Sequence, residues 1–250
     1  MLNIVKAEFK KFFRGKLFIA TIILIIAFPL LSGILYGLVQ NKVSGNMFGI
    51  TAEFAFLSSF SPLNNLGLIL LIFIQIILIS DFSQNTIRNK IIAGYCKHKI
   101  YLSSTIFTLT ISVVSTTVYA LLTYLFTGIF ISFSELNIAF LIEHLVVGIL
   151  ATMAIYAFVQ LVVFIFKSLG ATLGTVLGSF LGTFLIYNIL TMSMSVTAQR
   201  IVMVIVPLLH FSYFTEYQDL DMLWMVLSSI GFTAGAIGLG LFLNKKLDYR

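Results

Sequence analysis

Six long apolar runs, at 17–39, 62–80, 100–130, 138–166, 168–190 and 222–243, leave this chain few ways to fold. Each is long enough for a helix to cross hydrocarbon, which takes roughly 18–20 residues. Barrel strands would be about half that length and would alternate in polarity. The runs therefore predict an all-α polytopic membrane protein with six transmembrane helices, and residues 1–250 read as a single transmembrane domain. Only 10% of the residues are charged and the mean hydropathy is +1.08. A soluble domain carries about 25% charged residues, so an unusually rich soluble core does not explain the composition.

The first run follows basic residues, as a signal peptide would. At about 23 residues it exceeds an ordinary signal core, and no clear small-residue cleavage site follows it. A retained helix is expected. With the N-terminus in the cytoplasm, six spans return the C-terminus there. Of the 15 Lys and Arg residues, only Lys42 and Arg200 then fall outside, an asymmetry that fixes the orientation. The formal charge of +6 reflects this topology. Nucleic-acid binding is a poor reading, because the cations are divided among loops beside the bilayer instead of forming one groove. Cys96 is the single cysteine, so there is no internal disulfide and no thiolate metal pair.

In residues 1–16, Leu2, Val5, Phe9 and Phe12 fall near helical spacing, with Lys6, Lys10 and Arg14 on another side. The pattern predicts an interfacial helix with its apolar face in lipid. The outer segment 40–61 reads as a loop with a short surface helix near 51–58, and Pro62 suits a helix start. Residues 132–137 form a short outer connection. In the fifth span Gly170, Gly174, Gly178 and Gly182 recur every four residues, predicting a face for close helix packing within or between subunits. Segment 191–221 contains a nine-residue apolar stretch at 201–209 that is too short to cross and is interrupted by Pro207. A re-entrant or interfacial element on the outer side is expected, with Arg200 and the acidic Glu216, Asp219 and Asp221 near the same aqueous surface.

The chain shows no catalytic chemistry of its own. It has no Gly-rich phosphate loop and no paired-histidine zinc helix. Glu143 and His144 are adjacent and so point apart on a helix. A Ser179–His210 hydrolase has neither a nucleophile-elbow sequence nor an orienting carboxylate, and Ser179 reads as a packing serine. His98 and His210 are expected at membrane interfaces. Among polar residues within the spans, Gln75, Tyr124 and Gln160 are candidates for a translocation path, although hydrogen bonding between helices is the default reading of each alone. No catalytic, cofactor or metal site is expected.

The remaining distinctive feature is a basic island, 81–99, between the second and third runs. Its 85–94 portion has cap-type residues at the start, Ile87 and Ile91 on one side, Arg88 and Lys90 toward a polar boundary, and Gly94 as terminator. This suits a short cytoplasmic helix inserted into a partner's groove. The motif Asp81-Phe-Ser-Gln-Asn-Thr-Ile-Arg-Asn-Lys-Ile-Ile-Ala-Gly94, followed by Lys99-Ile-Tyr-Leu-Ser103, resembles the membrane subunits of bacterial ABC-2-type exporters, a family that includes peptide and antibiotic transporters. Asp81, Thr86, Ile87, Arg88, Asn89, Lys90 and Gly94 match that family's pattern. Asn85 stands where glycine is common, and Cys96-Lys97 replaces a Ser-Arg pair.

The resemblance implies a coupling segment at 81–99 that engages a cytoplasmic ABC ATPase, with ATP and Mg bound on that partner. It also implies a second permease copy or paralogue, and residence in the bacterial cytoplasmic membrane. The expected function is outward transport of amphipathic peptides, peptide antibiotics or toxins. The alternatives are an ATPase-independent channel or carrier, a membrane-bound binding or immunity protein, and a lipid exporter.

Overall fold

The computed structural model describes residues 1–42, 51–61, 65–131, 133, 138–192, 195–210 and 219–246. Among these, ten helices follow one another: α1 (Leu2–Arg14), α2 (Lys16–Lys42), α3 (Ala52–Ser59), α4 (Asn65–Ser83), α5 (Thr86–Ile92), α6 (Lys97–Phe130), α7 (Ile138–Phe166), α8 (Leu169–Thr191), α9 (Val196–Ile205) and α10 (Asp219–Lys246). Residues 43–50, Pro62, residues 134–137 and the 211–218 stretch with Glu216 lie outside the described residues. The fold is an all-α bundle. Among the described residues five helices are long and apolar enough to cross a membrane, and the number becomes six when α4 and α5, bent by 51° at their junction, are taken as one broken span.

The bundle is organised around α6 and α7, the most buried of the long helices, while α2, α8 and α10 leave most of their surface outward. With 34 residues, α6 is about 51 Å long at 1.5 Å per residue. A hydrocarbon core is about 30 Å thick, so α6 has length to spare for packing against the shorter helices. Its interior face is unusually hydroxylic: Ser103, Thr105, Thr108, Ser112, Thr116, Thr123 and Thr127 are all buried. Most return their hydroxyl to their own helix, as Thr105 does to the Tyr101 carbonyl at 2.9 Å and Thr116 to that of Ser112 at 2.8 Å. Small, self-satisfied side chains let neighbouring helices approach a polar face in an apolar medium.

Close helix approach occurs where the sequence reading did not place it. Gly33 and Gly37 of α2 lie against the backbone of α6, where an added Cβ would come within 3.1 Å of Phe126 and Phe130 backbone atoms. At Gly170, Gly174, Gly178 and Gly182 an added Cβ would meet nothing within 4 Å. Among the described residues, nothing packs closely against the α8 stripe. On α10, Gly240 receives the buried Tyr101 ring, leaving no room for a Cβ there.

The two ends of the bundle differ in character. At one end, Ile4 of α1, Ile87 of α5, Ile100 and Tyr101 of α6 and Phe164 of α7 form one cluster, with Ile237 and Leu241 of α10 against it. The Asn244 side-chain amide donates to the Lys97 carbonyl at 2.9 Å and ties the end of α10 to the start of α6. At the other end, Ala52, Phe56 and Phe60 pack with Tyr124, Val147, Val204 and Met225. Thr51 caps α3 through a 3.2 Å bond to the Phe54 amide. That helix is buried, whereas a surface helix was expected near 51–58, because Ala52, Ala55, Phe56 and Leu57 all turn inward.

The amphipathic N-terminus packs on the bundle along one side. The row Ile4, Glu8 and Phe12 is buried in protein. Phe12 packs edge-on against Phe107 at 5.8 Å and Phe18 at 5.4 Å. Of the apolar face, Phe9 and Phe12 are thus covered by the bundle, while Leu2 stays exposed.

Candidate functional site

The end of the bundle that carries α1 and α5 holds the only cluster of oppositely charged side chains that joins three helices among the described residues. Lys11 of α1 pairs with Asp81 of α4, and Glu8 of α1 pairs with Lys90 of α5. Lys90 Nζ also lies 3.8 Å from Asp81 Oδ2, so the four groups form a chain of alternating sign. The Lys11 ammonium reaches Ser80 Oγ at 3.4 Å. Glu8 and Asp81 are each only 6% exposed. Buried charges persist only when paired, since removing one partner strands the other in a poorly solvating environment. Burial raises the Glu8 carboxyl above its ordinary value, and the neighbouring Asp81 charge pushes the same way against Lys90.

The backbone around α5 explains its sequence. Asn85, just before the helix, has φ 53°, and Gly94, just after it, has φ +87°. Glycine populates the left-handed region freely, and asparagine is among the few other residues to do so routinely. Asn85 therefore suits the bend that precedes α5. Between these two bends α5 is a short rigid unit whose orientation is set by what its inner side touches.

That inner side is not the one foreseen. Ile87 is 4% exposed and packs into the chain's own cluster with Ile4 and Ile100, with Ile91 against the same cluster. Lys90 is likewise turned inward to Glu8 and Asp81. The outward face consists of Arg88, Asn89 and Ile92, continued by Ala93, Gly94 and Tyr95. Ile92 is 73% exposed. Of the residues matched to the exporter motif, Asp81, Ile87 and Lys90 hold the segment in place and Arg88 and Asn89 are presented. Sequence reasoning missed Glu8 and Lys11. The signal was there in Glu8, the one carboxylate in residues 1–16, which falls on the same helical row as Ile4 and Phe12.

A second feature is a cavity of about 710 Å³ between α7, α8 and α10, with Ile205–Leu208 completing its wall. Its lining is apolar apart from Ser179, Thr183 and Ser228, and the volume falls in the range of small-ligand sites. Gln75, Tyr124 and Gln160 do not line it. Gln75 and Gln160 are fully buried, and Gln160 donates to Thr105 Oγ1 at 2.8 Å and to the Tyr101 carbonyl at 3.3 Å. Tyr124 lies in the α3 cluster against Phe56.

The segment between α8 and α10 is held by side chains at both ends. Arg200 grips Asp221 through Nε at 2.8 Å and Nη2 at 2.7 Å, joining α9 to the start of α10. Pro207 follows the end of α9. His210, expected at an interface, is fully buried. Its Nε2 lies 2.9 Å from the Val204 carbonyl and 3.3 Å from Ser228 Oγ, and its Nδ1 lies 3.4 Å from Ser229 Oγ. Burial pushes the imidazole down to about 4, leaving it neutral at physiological pH. Ser179 bonds its own helix at the Val176 carbonyl and has no bond to His210, so the two do not form a dyad. His144 is buried while Glu143 is exposed, and the described residues contain no group of three metal-ligating side chains.

These features define a polytopic, all-α membrane protein, and the fold is consistent with membrane transport. Neither a protein-family model nor a curated protein matches the chain.

Proposed function

We propose that this chain is the membrane subunit of an ATP-driven exporter of the ABC-2 type, with 81–99 as the segment that receives movement from a cytoplasmic ATPase. The observation that carries this reading is the two-sidedness of α5. Its inner face is fixed to α1 and α4 by Ile87 and by the Glu8–Lys90–Asp81–Lys11 chain. Its outer face leaves Arg88, Asn89 and Ile92 exposed. A push on that outer face would be passed through the charge chain to α1 and α4, and through them to α2 and α6.

In this reading ATP and Mg belong to the partner, and the basic end faces the cytoplasm of a bacterial cell with both termini. A second permease copy or paralogue would meet the open glycine face of α8, where Gly174 and Gly178 have nothing against them among the described residues. The substrate class is an amphipathic peptide, peptide antibiotic or toxin. An apolar cavity bearing three hydroxyls and lined by no charged residue supports such a solute over a hydrated ion.

The test uses inverted vesicles containing the chain with its ATPase. Arg88→Glu is expected to leave insertion intact while abolishing peptide-stimulated ATP hydrolysis and uptake of labelled peptide. Unchanged coupling in that variant would reject the handle. Autonomous flux without any ATPase would favour a channel or carrier, robust movement of lipid alone would replace the substrate class, and peptide sequestration without transport would favour a binding or immunity protein.

A further inference from the structure

The outward face of α1 carries cations that no carboxylate among the described residues neutralises. Buried Ile4, Glu8 and Phe12 recur every four residues, and Lys6, Lys10 and Arg14 repeat at the same interval two positions further on. Two residues advance an α-helix by about 200°, so the cationic row lies opposite the docked row. Lys6, Lys10 and Arg14 are exposed, as is Lys16 at the start of α2. Among the described residues at this end, Glu8 and Asp81 are the carboxylates, and both are consumed by Lys90 and Lys11. Lys6, Lys10, Arg14 and Lys16 have no ion pair among the described residues.

The same face is not purely ionic. Leu2 is 75% exposed and Phe13 52% exposed, and on a helical projection both fall beside the cationic row. Phe13 is anchored edge-on to Phe18 of α2 at 4.9 Å. Only Gly15 separates α1 from the long apolar α2, so this face cannot leave the level at which α2 enters hydrocarbon. An aqueous protein partner would complement the charges but would also need to cover Leu2 and Phe13 at that depth. A bilayer surface supplies both, with acyl chains for Leu2 and Phe13 and anionic headgroups for the row.

We infer that α1 is a binding face for anionic lipid, with phosphate-bearing headgroups engaged by Lys6, Lys10, Arg14 and Lys16. Through Glu8 and Lys11 on the opposite side, lipid occupancy holds α1 against Asp81 and Lys90 and so sets the resting position of α5. The binding claim is independent of any ATPase.

The experiment titrates phosphatidylglycerol or phosphatidylcholine into the purified full chain in detergent. Bound fluorescent lipid and thermal unfolding are both followed. Phosphatidylglycerol is expected to bind and raise the unfolding temperature, with the effect weakening as salt is added, whereas phosphatidylcholine does neither. The K6Q/K10Q/R14Q/K16Q variant should lose roughly three orders of magnitude in phosphatidylglycerol affinity. A K99Q/K245Q variant, changing cations at the same end but off α1, should keep it. Glu8→Gln should retain lipid binding but lose the accompanying thermal stabilisation. Equal response to both lipids, or full binding by the quadruple variant, would overturn the inference. So would a quadruple variant that keeps lipid binding and loses a co-purifying protein, since the face would then be a protein contact.

Discussion

Asp81 and Lys90 stand 3.8 Å apart across the bend that separates α4 from α5. Each is also claimed by α1, Asp81 by Lys11 and Lys90 by Glu8. The N-terminal helix is therefore a strut between the two arms of the bend. Lys90 serves both carboxylates, so it is the member whose loss costs most.

Replacing Lys90 by Met should destabilise the folded chain by about 3 kcal/mol or more, because Glu8 loses its partner while remaining buried. Glu8→Gln combined with Lys90→Met should cost less than Lys90→Met alone, since the stranded charge is gone and Asp81 keeps Lys11. A double-mutant cycle on unfolding in mild detergent reads the coupling directly.

Bulky substitutions should separate the two glycine pairs. Gly33→Leu with Gly37→Leu would force α2 off the α6 backbone, with an expected loss of several kcal/mol. Gly174→Leu with Gly178→Leu should change the stability of the isolated chain by about 0.5 kcal/mol or less, as open surface positions do. Any effect of the second pair would appear in intersubunit crosslinking. Gly240→Ala belongs with the first pair, because Tyr101 has no room to withdraw from a new methyl group.

His210 makes stability depend on pH. The imidazole protonates near 6.5 when unfolded and at about 4 when folded. Between those values the unfolded chain binds more protons, so stability is full above about 6.5 and is lost as pH falls toward 4. The full effect is on the order of 3 kcal/mol. His210→Gln should flatten unfolding temperature against pH across that window. An unchanged slope would place the pH sensitivity elsewhere.

The two isoleucines at opposite sides of α5 should behave differently. Ile87→Asp puts a charge into the cluster formed with Ile4 and Ile100 and should lower the yield of folded chain. Ile92→Asp acts on a side chain that is 73% exposed and should leave folding within about 0.5 kcal/mol of the parent. Its effect is expected in the coupling of ATP hydrolysis to transport, measured in the reconstituted vesicles.

What the sequence determined by itself is the class of fold and the places where the chain turns. A long apolar run must satisfy its backbone internally, which forces a helix whatever the neighbours are. The long helices accordingly begin and end close to the limits of the apolar runs. The bends at Asn85 and Gly94 and the stop before Pro207 follow from local backbone preferences in the same way.

The direction in which each polar or small residue faces was decided only in the tertiary structure. Two glycine patterns of equal spacing met opposite fates: Gly33 and Gly37 pack on α6, and the α8 stripe faces outward. Local periodicity places residues on a common face but carries no information about what lies opposite. The same holds for the pairing of Glu8 with Lys90, 82 positions along the chain, and for the burial of His210 beside Ser228 and Ser229. Those contacts exist because α6 and α7 bring distant segments to one end or one wall of the bundle, and no local stretch of sequence contains that geometry.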